Sequence, residues 1–406
     1  GLLNAVTGSE FARIEQRRTD AQTGAVDTVR QRFRIEPTTN YFVGRVQQDV
    51  LHNSTVGAQL TSVHGEDFDP AYVGAGDLHV RWQENAYRVY SRVAVSRAGQ
   101  DDDRGSGWEG ALYFSKFSGS FGGQAYLDAR SRGFDANDLG FMNRNDRRQA
   151  GAHLFYNIQE PYWFARRSGF NINSWQHNNF DGDRLARGVN FNMFHELHSY
   201  WGLWMGLSHR FDAWDDLVTR GGPVMRSPAA TRWAMEFWAD DRRPVSGWLD
   251  ANLEWGLDGD NLSGSTGFEI ELKPASQIEI EINPNYRYSR RDAQWVENID
   301  SDGDDEDDRF IFGELKNRVF EIGVTGSWAL TPSLSTQLFL QPFVTTGNYG
   351  QIKELARPRS YEFAPYEEAL DEDPDFHSRS LRFNLVMRWE YAPGSTIFVV
   401  WQQNRD

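Results

Sequence analysis

Cysteine is absent from the 406 residues, which excludes disulfide frameworks, zinc ribbons, thiol catalysis and iron–sulfur centres together. Long apolar stretches are missing as well. Runs such as Trp201 to Leu207 stop far short of the ~20 residues that a membrane-spanning helix needs. Positive charge is in deficit: 42 Lys and Arg stand against 58 Asp and Glu, a net −16. That balance argues against the clustered basic footprint of a nucleic-acid-binding surface. No convincing amphipathic helix emerges anywhere along the chain.

What the chain has in abundance is aromatic side chains, 14% of residues with 15 Trp, in a sequence that is polar on average. A soluble domain would gather them in one core. A transmembrane β-barrel instead sets them on its outside, alternating with polar residues that face the lumen, so both properties coexist.

The dominant period is two. Val189, Phe191, Met193, His195 and Leu197 fall on one side of a strand. Leu249, Ala251, Leu253 and Trp255 alternate with Asp250, Asn252 and Glu254. Phe268, Ile270 and Leu272 alternate with Glu269, Glu271 and Lys273, and Ile278, Ile280 and Ile282 with Glu279, Glu281 and Asn283. Leu381, Phe383, Leu385, Met387 and Trp389 repeat the pattern near the C-terminus. Ribbons with one apolar and one charged side need a different solvent on each.

The connections alternate in length. Tight turns are expected near His52–Ser54, Glu84–Asn85, Gly119, Gln159–Tyr162, Ser199–Tyr200, Asp241–Arg243, Pro274–Ala275, Leu330–Pro332 and Ala392–Gly394. Between them stand mostly longer polar linkers at 17–36, 63–71, 99–106, 132–145, 179–183, 213–228, 257–261, 290–307 and 347–375. This is the rhythm of an outer-membrane barrel, with brief periplasmic turns and extended external loops. The expected fold is therefore all-β: a single domain over 1–406, a large antiparallel up-and-down transmembrane β-barrel of about nineteen strands. Because bacterial single-chain barrels have even strand numbers, about twenty are expected in the full protein, with this chain truncated at both ends.

Several blocks are similar to an uncharacterised bacterial outer-membrane β-barrel domain family. They are Gly1 to Thr7, Asn40 to Val46 followed by Asn53 to Ala58, Leu334 to Val344, and Lys353 to Pro358. In that family the region lies C-terminal to a family-nine-like carbohydrate-binding module. The resemblance implies location in the outer membrane of a Gram-negative bacterium, among outer-membrane lipid and lipopolysaccharide. It implies a link to glycans only through that module. The shared blocks are strand and turn sequences, and they bring no catalytic residues.

Among local constellations, Asp300, Asp302, Asp304, Asp305 and Asp307 place oxygen ligands around Gly303, in a spacing that suits Ca²⁺. The alternative is a solvated acidic loop tip. Asp250, Glu254, Glu269, Glu271, Glu279 and Glu281 form an acidic stripe expected to face the lumen, since unpaired carboxylates in lipid are very costly. They would make a cation-favouring wall, or pair across strands with Lys273, Arg287, Arg382 or Arg388, the last two being lumen candidates themselves. Segment 347–375, carrying Arg357, Tyr361 and Tyr366, is long and aromatic enough to fold inward as a constriction.

Two motif matches fail on geometry. Gly105 to Gly110 fits G-x-G-x-x-G but precedes a strand rather than opening a helix. His195 and His198 would point to opposite faces of a strand and cannot share a metal. Trp163, Trp175, Tyr200, Trp201, Trp238 and Trp248 cluster towards strand ends, as interfacial girdles do. The expected function is an outer-membrane conduit with an acidic lumen and no enzymatic role. The alternative is a non-conducting anchor for a carbohydrate-binding module or an extracellular protein assembly.

Overall fold

In the computed structural model, described for residues 1–19, 26–98, 105–300, 309–370 and 372–405, no helix is found among the described residues. The strands form one antiparallel sheet of 20 strands and two separate two-stranded ribbons. They group into two compact units, residues 1–152 with 177–182, and residues 153–176 with 183–406.

In the first unit β1 (Leu2–Thr7) is followed by a separate hairpin of β2 (Glu10–Thr19) and β3 (Val26–Glu36). Then β4 (Thr39–Val50) returns to pair with β1. β5 (Ser54–Gly65), β6 (Ala71–Trp82), β7 (Tyr87–Ala98), β8 (Ser106–Lys116) and β9 (Phe121–Arg130) follow, each antiparallel to its predecessor. β10 (Arg147–Ile158) and β11 (Ala165–Asn178) are each divided between the units.

The second unit continues with β12 (Arg184–Leu197) and β13 (Gly202–Arg210), then the short ribbon β14 (Ala213–Asp215) and β15 (Met225–Ser227). β16 (Ala230–Trp238), β17 (Val245–Gly256) and β18 (Leu262–Ala275) come next. Three long strands follow: β19 (Ile278–Ile299), β20 (Arg309–Thr331) and β21 (Leu334–Leu355). The three-residue β22 (Phe363–Pro365) extends the edge of β21, and β23 (Phe376–Ala392) and β24 (Ser395–Arg405) complete the chain order.

Register decides which side chains share a face. In the second unit Phe191, Leu207, Trp233 and Leu253 stand opposite one another across four strands, as do Met193, Met205, Met235 and Ala251. The other face carries Asn190, Ser208, Arg232 and Glu254 in one row. In the first unit Leu60, Gly74, Val95 and Trp108 form an apolar row, while Thr55, His79, Tyr90, Tyr113 and Tyr126 form a polar one. The apolar rows are not packed into a core. Leu60 is 49%, Val95 62%, Leu207 52% and Leu253 42% exposed. Only two buried apolar clusters occur among the described residues: Val63 with Ala71, and Met225, Phe310, Phe312 and Leu355.

The short turns form at 51–53, 83–86 and 117–120 in the first unit, and at 198–201, 239–244, 332–333 and 393–394 in the second. Asn53 and Asn85 take φ of 63° and 68° there, a left-handed conformation that Asn tolerates better than most residues. Antiparallel alternation gathers these turns at one end of each unit and the long connections at the other.

The expected barrel is met in part: the described residues form one antiparallel sheet of 20 strands, of which β22 is a three-residue addition, and closure into a barrel is not found among them. Other expectations need correction. The turn placed at Pro274–Ala275 forms at 276–277, because β18 runs through Ala275. The linker expected over 17–36 takes in the end of β2 and all of β3, and that over 213–228 contains β14 and β15. The linkers expected at 290–307 and 347–375 are strand as far as Ile299 and Leu355. There the period of two is hidden: bulges at Arg291/Gln294, Trp295/Glu297 and Gly313/Leu315 shift the alternation, and on β20, the strand between them, Phe310, Ile311, Phe312 and Gly313 are buried consecutively.

Candidate functional site

The acidic stripe lies on the polar face of the second unit. Asp250 stands opposite Glu236 on one side and Gly267 on the other, where a Cβ would come within 2.6 Å of its carboxylate. Glu271 stands opposite Glu281. Oxygens of Glu271, Glu279 and Glu281 lie within 4.8 Å of one another, yet a cation of the chain is already among them. Lys273 Nζ is 2.5 Å from Glu271 and 3.8 Å from Glu279. Ser246 Oγ donates to Glu271 at 2.6 Å, and Thr325 Oγ1 to Glu281 at 2.8 Å. Asn283 Nδ2 donates to Glu269 at 3.1 Å, and Arg210 is 3.6 Å from Glu254. The closer pair lies within β18, since Glu271 and Lys273 are on one strand, and only the 3.8 Å approach to Glu279 on β19 crosses strands. Arg382 and Arg388 share the face but sit on β23; Arg388 pairs with Glu390 at 3.2 Å, and Arg382 stands opposite Gln341 and Asn404. Asp302, Asp304, Asp305 and Asp307 of the Ca²⁺ proposal lie outside the described residues.

The long-loop end of the second unit builds a second cluster with an apolar core of its own. Met225, Phe310, Phe312 and Leu355 are buried together, with Val218, Trp295, Tyr361 and Phe363 packed against them. Arg220 lies 3.6 Å over the Trp295 ring, and Asn298 Nδ2 donates to the Thr219 carbonyl at 2.9 Å. Asn261 stitches three segments: its Nδ2 donates to the Tyr361 hydroxyl at 3.2 Å, and its Oδ1 accepts from the Asp292 amide at 2.9 Å. Burial pushes the Tyr361 hydroxyl up to about 12.

Of the three constriction residues, Tyr361 enters this cluster and lines a cavity beneath it. Arg357 is exposed and paired with Glu362 at 2.5 Å, and Tyr366 packs under Arg309 at 5.1 Å. The cavity, of about 480 Å³, is where the loops meet the polar face. Arg210, Arg226, Arg287, Arg290 and Arg291 line it, against only Asp215 and Glu254. Sequence reasoning named Arg287 only as a partner for the carboxylates and missed the rest. Five arginines spread over β13, β15 and β19 leave no local motif.

At the short-turn end, the Tyr162 hydroxyl hydrogen-bonds Ser168 Oγ at 2.7 Å, and Ser168 Oγ shares a second 2.7 Å bond with His195 Nδ1. A Ser–His pair invites a catalytic reading, but Ser168 has no solvent exposure, and a nucleophile must reach its substrate. The geometry instead ties the 159–164 turn to β11 and β12. His198 points elsewhere, to the Tyr162 carbonyl at 3.2 Å. Of the expected girdle, Trp163 and Trp201 are exposed at 90% and 43%. Trp238 and Trp248 are a correction: register sets them opposite each other on the polar face. Gly202 opposite Trp238 makes the room, since a Cβ there would come within 2.0 Å of the indole. Trp175 likewise fills the space over Gly188.

The 239–244 turn is held by charge. Asp240 is 3% exposed, Arg242 grips it at 2.7 and 2.8 Å, and the Arg242 guanidinium lies 3.5 Å over the Tyr200 ring. Hydrogen bonds from Arg242 hold the Asp240 carboxyl down to about 2. A depressed native value gives a contribution that is full above the ordinary carboxylate range and is lost as pH falls through about 2. Acid unfolding of Asp240→Asn, followed by tryptophan fluorescence, will lack that part of the acid dependence. An unchanged profile between pH 4 and pH 2 would remove this turn from the account.

The fold and its faces define an all-β protein built on one large antiparallel sheet with chemically opposed sides. The chain belongs to the family described as Domain of unknown function (DUF5916), which matches residues 1–406. No curated protein matches it.

Proposed function

We propose that this chain is a transmembrane β-barrel of the outer-membrane type and serves as a conduit, its polar face lining an aqueous interior. The observation that carries this reading is the exposure of side chains in the apolar rows. Each large apolar side chain left in water forfeits about 1.5–3 kcal/mol, and Leu60 and Val95 in the first unit and Leu207 and Leu253 in the second are exposed. Hydrocarbon removes that cost, while carboxylates and guanidinium groups on the opposite face require water. Short turns at one end and long, partly folded connections at the other fit the same asymmetry.

The acidic stripe near the short turns would favour cations. The test is conductance of the purified protein in a planar bilayer. Expected are discrete steps with cation preference, enlarged when residues 356–375 are deleted. Silence from both forms, in vesicles where the protein is demonstrably inserted, would instead favour a membrane anchor. For that reading the loop cluster around Phe312 offers a folded platform, and a carbohydrate-binding module or extracellular assembly is the natural cargo.

A further inference from the structure

We propose that the cavity beneath the loop cluster is a binding site for a small solute bearing a carboxylate or phosphate group. Arg226 is satisfied by Asp212 and Asp258 at 2.8 and 2.7 Å, and Arg290 by Asp260 and Glu314 at 2.7 and 2.8 Å. The Arg287 side chain has no ion pair or hydrogen bond among the described residues. Among the same residues the Arg291 guanidinium has only the Gln294 amide oxygen at 2.9 Å, and that of Arg210 only a loose 3.6 Å approach to Glu254.

These three guanidinium groups are exposed, yet all line one cavity. Arg287 and Arg291 are four residues apart on β19, about 13 Å along the strand, and alternation sets them on the same face but for the bulge that follows Arg291. In a chain of net charge −16, unpaired positive charge gathered in one concavity is the reverse of what composition predicts. Planar, permanently charged guanidinium forks match the two-oxygen geometry of carboxylate and phosphate. Ser263, Ser289 and Asn261 supply neutral donors and acceptors to the same space, and its volume of about 480 Å³ admits a solute rather than a polymer.

Binding here requires neither conduction nor membrane insertion, so it stands or falls separately from the conduit. The experiment is isothermal titration of the full chain in detergent solution, with inorganic phosphate and gluconate as probes and sorbitol as the uncharged control. Expected is saturable binding of one or both anions, weakened with added salt, and none of sorbitol. The double variant Arg287→Ala/Arg291→Ala should weaken it at least tenfold, while Arg287→Lys, which keeps the charge and loses the fork, falls between. No saturable heat with either anion would overturn the proposal, as would equal binding of sorbitol or an undiminished double variant. If the double variant does not fold, the comparison of anions with sorbitol on the unaltered chain decides alone.

Discussion

With the apolar face in hydrocarbon, as proposed, Met235→Arg will lower the stability of the protein in a lipid bilayer by about 2–4 kcal/mol, the cost of a cationic side chain near the bilayer midplane. Met235 sits in the middle of β16, opposite Met205 and Ala251 on the apolar face. The matched control is Thr325→Arg on the polar face, where the new guanidinium meets Glu281 across the register; its effect should stay within about 1 kcal/mol. Urea titration of both variants in phosphatidylcholine vesicles reads the difference. Equal penalties for the two faces would mean that they do not meet different solvents, and the membrane reading would fall with that result.

Phe312→Ala removes a side chain with no exposure from the centre of the loop cluster. Truncating a buried Phe costs about 3–5 kcal/mol. Here the loss is local, because the apolar rows of the sheet do not pack against this cluster. The expected result is faster proteolysis between residues 211 and 229, where β14 and β15 rest on the cluster, with the sheet signal in circular dichroism unchanged. Cleavage at the unaltered rate would show that the loops are held by their ion pairs instead. Arg226 with Asp212 and Asp258, and Arg359 with Asp183 at 2.5 Å, are the pairs to examine next.

Much of the sheet was legible before any coordinates, and the reason is local. Side-chain direction along a strand repeats every two residues, so Leu249, Ala251 and Leu253 against Asp250, Asn252 and Glu254 announce two faces without knowledge of their neighbours. Register kept those assignments. Turns were legible where Asn or Gly sits in a left-handed conformation, as at Asn53, Asn85 and Gly394. The reading failed where both faces become covered. Phe310 to Gly313 on β20 has no alternation because nothing on either side is solvent, and on the strands beside it the ends of β19 and β21, residues 290–299 and 347–355, read as linkers.

The sites were less legible than the sheet. The carboxylates of β17, β18 and β19 are legible because each lies in a visible alternation, but their partners are only partly so: Lys273 reaches across to Glu279 yet sits closer to Glu271 on its own strand, while Arg388 turns to Glu390. Trp238 and Trp248 looked like girdle residues from their place near strand ends. Only the glycine across the sheet reveals the space that holds Trp238 on the polar side, and only register sets Trp248 beside it.

What the sequence determined by itself is the strand content, the two-sided chemistry of those strands and the alternation of short and long connections, because all three are written in neighbours a few residues apart. The tertiary structure decided the strand lengths at the loop end, the packing around Phe312 and the meeting of Arg210, Arg287 and Arg291 in one cavity. Those depend on register between strands tens of residues apart, and no spacing along the chain encodes it.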